Sequence, residues 1–349
     1  MKNKLILIVG LGLILSYCTE PEKPSVDNLP DDKPSLEKPK EEEEEEIVLS
    51  FSKSKSMPTP GRKRAFSFAI DNKIYVGTGF GTDESGQKYL SDFWEYDIQN
   101  DTWEEKAPFP LGPFSDGDAI SYNGIGYVLF GKKIVCEQID TPCNHIDVGE
   151  VHAYDPSTDT WEKVADFSDQ PRLIGGNATL IGDKVIFVNN FDAYTISLID
   201  FSYTSLANPP DFINDATHFM IEENIFLIMG MNSGIGKKNC FTYNIPSDQW
   251  QVLPDFPEVG RYGTVGFANE GMGYVLGGKQ GDISGQNEQF KDIWQYNPST
   301  TEWKKVGTYP GEAYSWKVLQ KAGGAIYVGL GDKRNFLTFE NDWWKLEMK

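Results

Sequence analysis

A small set of arginine, aspartate and aromatic residues recurs at a fixed distance before a repeated apolar strand. The repeat can be aligned on the aromatic or aliphatic residue near the end of that strand: Tyr75, Tyr127, Ile186, Phe226, Tyr274 and Tyr327. Thirteen residues earlier stand Arg62, Phe114, Leu173, Ile213, Arg261 and Tyr314. Eleven residues earlier stand Arg64, Asp116, Gly175, Asp215, Gly263 and Trp316. With Arg172 one step from these positions, the two sets contain most of the few arginines in the chain.

These residue types suit recognition of a polar ligand. Guanidinium groups bind carboxylates through paired hydrogen bonds, and tyrosine and tryptophan faces suit sugar rings or apolar groups. The ligand-binding candidates are therefore Arg62, Arg64, Arg172, Arg261, Tyr314 and Trp316. An acid/base group beside an arginine could transfer protons, and the weaker catalytic candidates are Asp116, Asp215 and His218. The structural alternative is that the arginines pair with Asp116 or Asp215 and tie neighbouring repeats together.

The positions of these residues are set by a unit that recurs six times. Its clearest copy, residues 261–306, reads as four antiparallel strands, and a period of about 50 residues indicates a propeller or solenoid. The third copy departs most, because ATLIGDKVIFVNN lacks paired glycines, the next loop is nearly absent and the last strand has no tryptophan. The sixth copy ends after the strand that contains Trp344 and lacks a fourth strand.

The missing strand has a candidate at the other end of the repeat region. Residues 47–52 alternate as a β-strand and precede the first repeat. Pairing them with the strand of Trp344 would close the ring and cover two sheet edges. We therefore predict an all-β, six-bladed propeller over residues 47–349, closed by an N-terminal strand. Seven blades would need about 50 further residues.

The repeat resembles the kelch family, whose signature is a glycine pair after the second strand, a tyrosine on the third and a tryptophan soon after. The fifth copy carries all of these, as Gly277, Gly278, Tyr296 and Trp303. The resemblance implies that the tyrosines and tryptophans pack between blades. It also implies that the inner-strand starts and the loops after the glycine pairs share one face, so that the candidate residues surround one funnel.

The first 46 residues predict export and a lipid anchor. Residues 1–18 have a charged start, an apolar run too short to span a membrane, and Leu15-Ser16-Tyr17-Cys18, which resembles a bacterial lipobox acylated at Cys18. The alternative is an ordinary secretory signal. Residues 19–46 contain 12 acids and 4 lysines, including six consecutive glutamates, and predict a disordered tether. We expect an exported cell-envelope lipoprotein on the outer membrane or cell surface, with a periplasmic location as an alternative.

Charge and cysteine content limit the partners further. The chain has a net charge of −20, which disfavours nucleic acid and anionic membrane surfaces, so membrane contact should come from the lipid alone. Lysines in the loops after the glycine pairs offset part of this charge, and we expect an anionic or polyhydroxylated ligand. Cys136 and Cys143 are close enough in sequence for a disulfide in an exported protein. The alternative is a metal site that includes His145.

The sequence favours a binding or interaction module whose ligand is a glycan or a protein. The enzymatic alternative resembles the bacterial sialic-acid mutarotases, which are kelch propellers that act on N-acetylneuraminate or similar acidic sugars. Galactose oxidase is another kelch relative, but the three histidines do not converge on a copper site. We see no phosphate loop, nucleophile elbow or calcium loop, and we expect no metal and no cofactor. A purely structural display role is a third interpretation.

Replacing the acylation candidate tests the anchor. We expect Cys18→Ala to move the protein from the membrane fraction to the soluble fraction, because a single polar tether cannot hold it without lipid. Fractionation and metabolic labelling with a fatty acid measure this, with Cys240→Ala as the matched control. A Cys18→Ala protein that stays with membranes would contradict the lipoprotein assignment.

Overall fold

The computed structural model describes residues 47–349 apart from 84–85, 137–142, 171–175, 213, 282–287, 313 and 334–337. The predictions for residues 1–18 and 19–46, for Cys18 and for Arg172 fall outside the described residues. Within the described part of the chain every regular element is a β-strand. None of it forms a helix long and apolar enough to cross a bilayer.

The strands are short, as expected from apolar runs broken by turn residues. The first half of the chain contains β1 (Leu49–Ser54), β2 (Arg62–Lys63), β3 (Phe66–Ile70), β4 (Lys73–Gly77), β5 (Phe80–Asp83), β6 (Gly86–Tyr89), β7 (Phe93–Asp97), β8 (Thr102–Lys106), β9 (Phe114–Ser115), β10 (Asp118–Tyr122), β11 (Ile125–Leu129), β12 (Lys132–Val135), β13 (Asn144–Asp147), β14 (Glu150–Asp155), β15 (Thr160–Asp166), β16 (Asn177–Ile181), β17 (Lys184–Val188), β18 (Ala193–Ser197) and β19 (Tyr203–Leu206). The second half contains β20 (Thr217–Ile221), β21 (Asn224–Ile228), β22 (Met231–Asn232), β23 (Ile235–Gly236), β24 (Cys240–Asn244), β25 (Gln249–Leu253), β26 (Val265–Asn269), β27 (Met272–Leu276), β28 (Asp292–Asn297), β29 (Glu302–Thr308), β30 (Val318–Ala322), β31 (Ala325–Gly329) and β32 (Trp343–Met348).

Six antiparallel sheets of four strands account for most of these strands in the described residues. Their orders are β3-β4-β7-β8, β10-β11-β14-β15, β16-β17-β18-β19, β20-β21-β24-β25, β26-β27-β28-β29 and β30-β31-β32-β1. The first strands of neighbouring sheets contact one another in sequence, and β30 contacts β3. These sheets are therefore six blades in a ring around an axis. Added hairpins extend blades one, two and four, as β5–β6, β12–β13 and β22–β23.

The ring closes through the first and last strands of the described chain. β1 pairs antiparallel with β32 from Leu49 opposite Met348 to Ser54 opposite Trp343, which is the pairing expected from the sequence. Leu49 and Phe51 face inward and join the cluster of Leu346, while the Phe51 ring lies 6.0 Å from that of Tyr309. Closure thus rests on buried apolar contacts as well as on backbone hydrogen bonds.

In three blades, a tryptophan side chain joins the blade to the segment that enters it, and a tyrosine side chain braces the turn before that tryptophan. In blade one, Tyr96 donates to Asp101 at 2.7 Å and Trp103 donates to the carbonyl of Lys55 at 2.8 Å. Blades two and four repeat this pattern with Tyr154, Asp159 and Trp161, and with Tyr243, Asp248 and Trp250. The signature aromatics are therefore core residues.

Glycine on the second strand allows blades to approach. A Cβ at Gly126 would lie 2.2 Å from the ring of Phe68 in the preceding blade, and a Cβ at Gly273 would meet Phe219 equally closely. Any larger side chain at these two positions would push neighbouring blades apart.

Deleting residues 47–51 tests the closure. We expect a loss of roughly 2–4 kcal/mol from the apolar contacts of Leu49 and Phe51 alone, because both side chains would leave the blade-six core. Thermal and urea unfolding of the two forms measure it, with deletion of residues 19–46 as the control that should leave stability unchanged. Identical melting curves for the 47–51 deletion and the intact domain would overturn the closure role.

Candidate functional site

The starts of the inner strands meet at the axis in an unusual backbone conformation. Arg64, Asp116, Asp215, Gly263 and Trp316 all have positive φ, between 49° and 63°. These are the residues eleven positions before the alignment residue, and the sixth, Gly175, is outside the described residues. Backbone N–H groups donate around the axis from Asp116 to Arg64 (3.3 Å), from Gly263 to Asp215 (3.4 Å) and from Trp316 to Gly263 (2.8 Å). A non-glycine residue in this region costs about 1–2 kcal/mol, so the ring holds four strained positions.

Arg64 links the opposite sides of this ring. Its guanidinium pairs with Asp116 and, at 3.0 Å, with Asp215, and its carbon lies 4.4 Å from the centroid of the Trp316 ring. The two carboxylates raise the pKa of Arg64 further above its ordinary value, against the opposing effect of burial. One side chain therefore joins blades one, two, four and six, and both of its terminal nitrogens donate to carboxylates.

Trp316 is packed among cations. The ammonium nitrogen of Lys279 lies 3.9 Å from the indole centroid and that of Lys63 lies 4.8 Å from it. Burial lowers the pKa of Lys279 to about 8, although Asp332 acts in the opposite direction from 3.8 Å. These contacts fix the indole in place at the axis.

A cavity of about 540 Å³ opens beside the Arg64 group, within the size range of small-molecule sites. Four carboxyl side chains, two cations, one histidine, four asparagines and two aromatics contribute to its wall: Asp116, Asp118, Asp147, Asp215, Arg64, Lys132, His218, Asn177, Asn189, Asn190, Asn214, Phe191 and Trp316. Lys132 is paired with Asp147 at 2.7 Å. Among the wall residues that the structure describes, four carboxyl side chains stand against two cations, which favours the polyhydroxylated ligand over the anionic one.

Three polar residues on consecutive inner strands form part of the wall. Asp118 accepts the backbone N–H groups of Ala119 (3.0 Å) and Ala178, while His218 contacts the carbonyl of Ala178 (3.1 Å) and the side chain of Asn177 (2.9 Å). Nε2 of His218 faces the carbonyl oxygen of Ala178 and Nδ1 faces the side-chain oxygen of Asn177, so both ring nitrogens lie against acceptor oxygens. Burial lowers the pKa of His218.

The carboxyl group of Asp118 has a strongly raised pKa. Burial raises the pKa of its carboxyl to about 7, even though two backbone donors favour the charged form. A carboxyl that titrates near neutral pH can act as acid or base. The alignment missed it: counting back nine residues instead of eleven gives Phe66, Asp118, Asn177, Thr217, Val265 and Val318.

The structure places two predicted ligand-binding arginines away from the cavity. Arg62 is fully buried and forms paired hydrogen bonds to Asp92, at 2.6 and 2.7 Å. Arg261 is 2% exposed and pairs in the same way with Asp292. The same carboxylates also accept from Trp94 and Trp294, so each arginine braces its own blade. These pairs differ from the predicted partners, Asp116 and Asp215, and they remove Arg62 and Arg261 from the ligand-binding candidates.

Tyr314 occupies the corresponding position of blade six and also lies outside the cavity wall. Its carbonyl accepts from Gly278 at 2.8 Å and from the Lys317 ammonium. Arg64, Trp316, Asp116, Asp215 and His218 are thus the predicted residues that the cavity brings together.

Cys136 and Cys143 form a disulfide, with Cα atoms 4.2 Å apart. The disulfide interpretation is confirmed, and bonded sulfurs cannot supply thiolates to a metal site with His145. That histidine instead contacts the hydroxyl of Tyr89 at 3.2 Å. In the described residues no three histidine, cysteine or acidic side chains cluster as metal ligands.

The raised pKa of Asp118 predicts a pH effect on stability. The folded protein keeps this proton up to about pH 7, whereas an unfolded aspartate loses it near pH 4. The free energy of unfolding should therefore fall between these values as pH rises, by roughly 1–3 kcal/mol after allowance for solvent in the cavity. Asp118→Asn should remove that fall in urea unfolding at pH 5 and 8. Asp147→Asn is the matched control, and equal pH slopes in Asp118→Asn and the parent would refute the assignment.

Comparison with known proteins points to the same architecture. No family model matches the chain. Kelch-like protein 25 of Xenopus tropicalis is 24% identical over 260 residues, which cover 71% of this chain but only 41% of that protein. The N-acetylneuraminate epimerase of Yersinia enterocolitica is 24% identical over 278 residues, covering 74% of this chain and 66% of the relative.

A shorter match and a solved structure agree with these. The N-acetylneuraminate epimerase of Haemophilus influenzae is 31% identical over 138 residues, covering 40% of this chain and 36% of the relative. The structure of YjhT superposes with a TM-score of 0.68 at 14% identity, over 84% of this chain and 99% of YjhT. The described chain is a kelch-type β-propeller, similar in sequence both to kelch-like proteins and to N-acetylneuraminate epimerases.

Proposed function

We propose that this protein is an exported, lipid-anchored propeller of the cell envelope that binds a neutral glycan in the axial cavity. The observation that carries the proposal is the composition of the cavity wall, where amide and carboxyl groups stand beside Phe191 and Trp316. Sugars offer hydroxyl donors and acceptors on their edges and apolar C–H groups on their faces. A wall that combines fixed polar groups with aromatic faces complements both.

The charge of the wall favours a neutral ligand. Arg64 is already paired with two carboxylates, so it offers little free positive charge to an incoming acid. Lys132 is likewise paired, with Asp147. Among the wall residues that the structure describes, a carboxylated sugar would meet Asp116 and Asp215 and no guanidinium other than Arg64, which would cost affinity.

The cavity is also preorganised. The strained ring and the Arg64 pairs fix the inner-strand ends before any ligand arrives. A rigid polar site spends less binding free energy on ordering itself. The recessed shape favours a glycan over the protein ligand that the sequence left open, because a protein partner generally needs a broad surface.

A second candidate function, a mutarotase-like sugar epimerase, is supported by Asp118. In mutarotation the ring oxygen gains a proton while the anomeric hydroxyl loses one, so the ring opens and recloses without net change in composition. A carboxyl with a pKa of about 7 can give and take these protons at neutral pH. Similarity to proteins named N-acetylneuraminate epimerase agrees with this function, whereas the negative wall opposes an acidic substrate.

Ligand-observed NMR on residues 47–349 tests both functions. We expect saturation transfer to neutral sugars and weaker or no transfer to N-acetylneuraminate, because the wall repels acids. Trp316→Phe keeps an aromatic ring but removes part of the aromatic surface, and it should reduce binding about tenfold. Val252→Ala, on the exposed outer strand β25, is the control. Absence of transfer to every sugar would overturn the glycan proposal.

The same spectra separate binding from catalysis. Accelerated exchange between anomers at low protein concentration, abolished in Asp118→Asn, would establish the epimerase. Binding without accelerated exchange would leave a glycan-binding protein. A stronger response to N-acetylneuraminate than to neutral sugars would contradict the charge argument.

A further inference from the structure

The loop between the second and third strands is much shorter in blade three than in the other blades. The connection between the second and third strands of blade three is limited to residues 189–192. The corresponding connections in the other blades are 78–92, 130–149, 229–239, 277–291 and 330–342. Three of those carry added hairpins. Among the residues that the structure describes, the turn of blade three adds the least to the cavity wall, and a bound ligand can extend outward past it.

An exposed aromatic residue stands at this turn. Phe191 contributes to the cavity wall and is nevertheless 60% exposed. Its position is fixed by a tight turn in which the side-chain oxygen of Asn189 accepts the N–H groups of Phe191 and Asp192, both at 2.9 Å. The N–H of Asn189 in turn donates to the carbonyl of Asp192 at 3.0 Å. The phenyl ring is thus held in solvent by a structured turn.

A second aromatic residue extends the surface towards blade four. The Phe212 ring lies 5.1 Å from that of Phe191 at an interplanar angle of 57°. The N–H of Phe212 donates to the side chain of Asp211 at 2.8 Å. Nearby, Asn214 and Met231 exchange two backbone hydrogen bonds, of 2.9 and 2.7 Å. Asn214 itself belongs to the cavity wall, so the aromatic pair is continuous with the cavity.

Phe191 is exposed and Phe212 is half-buried against it, so the two rings present an apolar face at the edge of a polar cavity. We infer that Phe191 and Phe212 form a second sugar-binding position beside the short turn of blade three, so that the ligand is an oligosaccharide with one sugar in the cavity and the next stacked on Phe191. The inference rests on the proposed glycan-binding function. The apolar C–H face of a pyranose matches the face of a phenyl ring, while the sugar hydroxyls stay in water.

Chain-length dependence of binding tests the inference. Calorimetry with residues 47–349 would compare the methyl glycosides of glucose, galactose, mannose and N-acetylglucosamine with the disaccharides cellobiose, galactobiose, mannobiose and chitobiose. For the series that binds, we expect the disaccharide to bind about tenfold more tightly than the methyl glycoside. Phe191→Ala should remove that gain, so that the disaccharide binds no more tightly than the methyl glycoside, whereas Phe191→Trp should retain it.

A matched control lies at the other end of the same blade. Ile199 is 67% exposed in the turn between β18 and β19, so Ile199→Ala removes a comparable apolar side chain without touching the cavity. It should leave both affinities unchanged. Equal affinity for methyl glycosides and disaccharides, or a disaccharide gain that survives Phe191→Ala, would overturn the second position but leave the glycan proposal intact. Failure of all these sugars to bind would overturn both.

Discussion

The inner strands of a propeller converge on the axis but do not hydrogen-bond to one another as strands, so side chains must join them. In this protein Gln320 of blade six donates to Ser67 of blade one at 2.8 and 2.9 Å, and Ser121 of blade two donates to the carbonyl of Ala69 at 2.6 Å. Asp118 of blade two accepts the N–H of Ala178, and His218 of blade four contacts the carbonyl of the same residue. The ring therefore depends on polar bonds that have little access to bulk water.

The candidate site follows from this constraint. Side chains that stabilise the axis must be polar and partly buried, and those are the properties that also shift pKa values and create binding sites. Arg64 illustrates the overlap, because it pairs with Asp116 and Asp215 while it lines the cavity. The burial that raises the pKa of Asp118 comes from the same packing of adjacent inner strands. The residues that stabilise the axis are thus also residues that line the candidate site.

The repeat architecture could be predicted from the sequence because aromatic and glycine residues recur at a constant spacing from blade to blade. The same spacing identified the strained ring of Arg64, Asp116, Asp215 and Trp316, since a common backbone conformation places equivalent residues at equivalent points. It could not distinguish Arg64 from Arg62. Two residues apart on one segment, Arg64 faces the axis and Arg62 turns to Asp92 inside its blade, and that choice depends on a carboxylate thirty positions later. Asp118 was missed because its burial arises from a neighbouring blade.

Departures from the repeat are as informative as its matches. Blade five has the complete signature, yet Thr301 replaces the aspartate that receives the tyrosine hydroxyl in blades one, two and four, and Tyr296 and Trp303 lack hydrogen-bond partners among the described residues. Blade three has the weakest signature, and among the described residues its short turn, which carries Phe191, adds the least to the cavity wall. A blade that keeps the signature residues therefore shows how the blades pack. A blade that has lost them is the one whose loops depart from the common structure. Because loops on a rigid scaffold can change without loss of the core, the irregular blade is where a ligand is most readily accommodated.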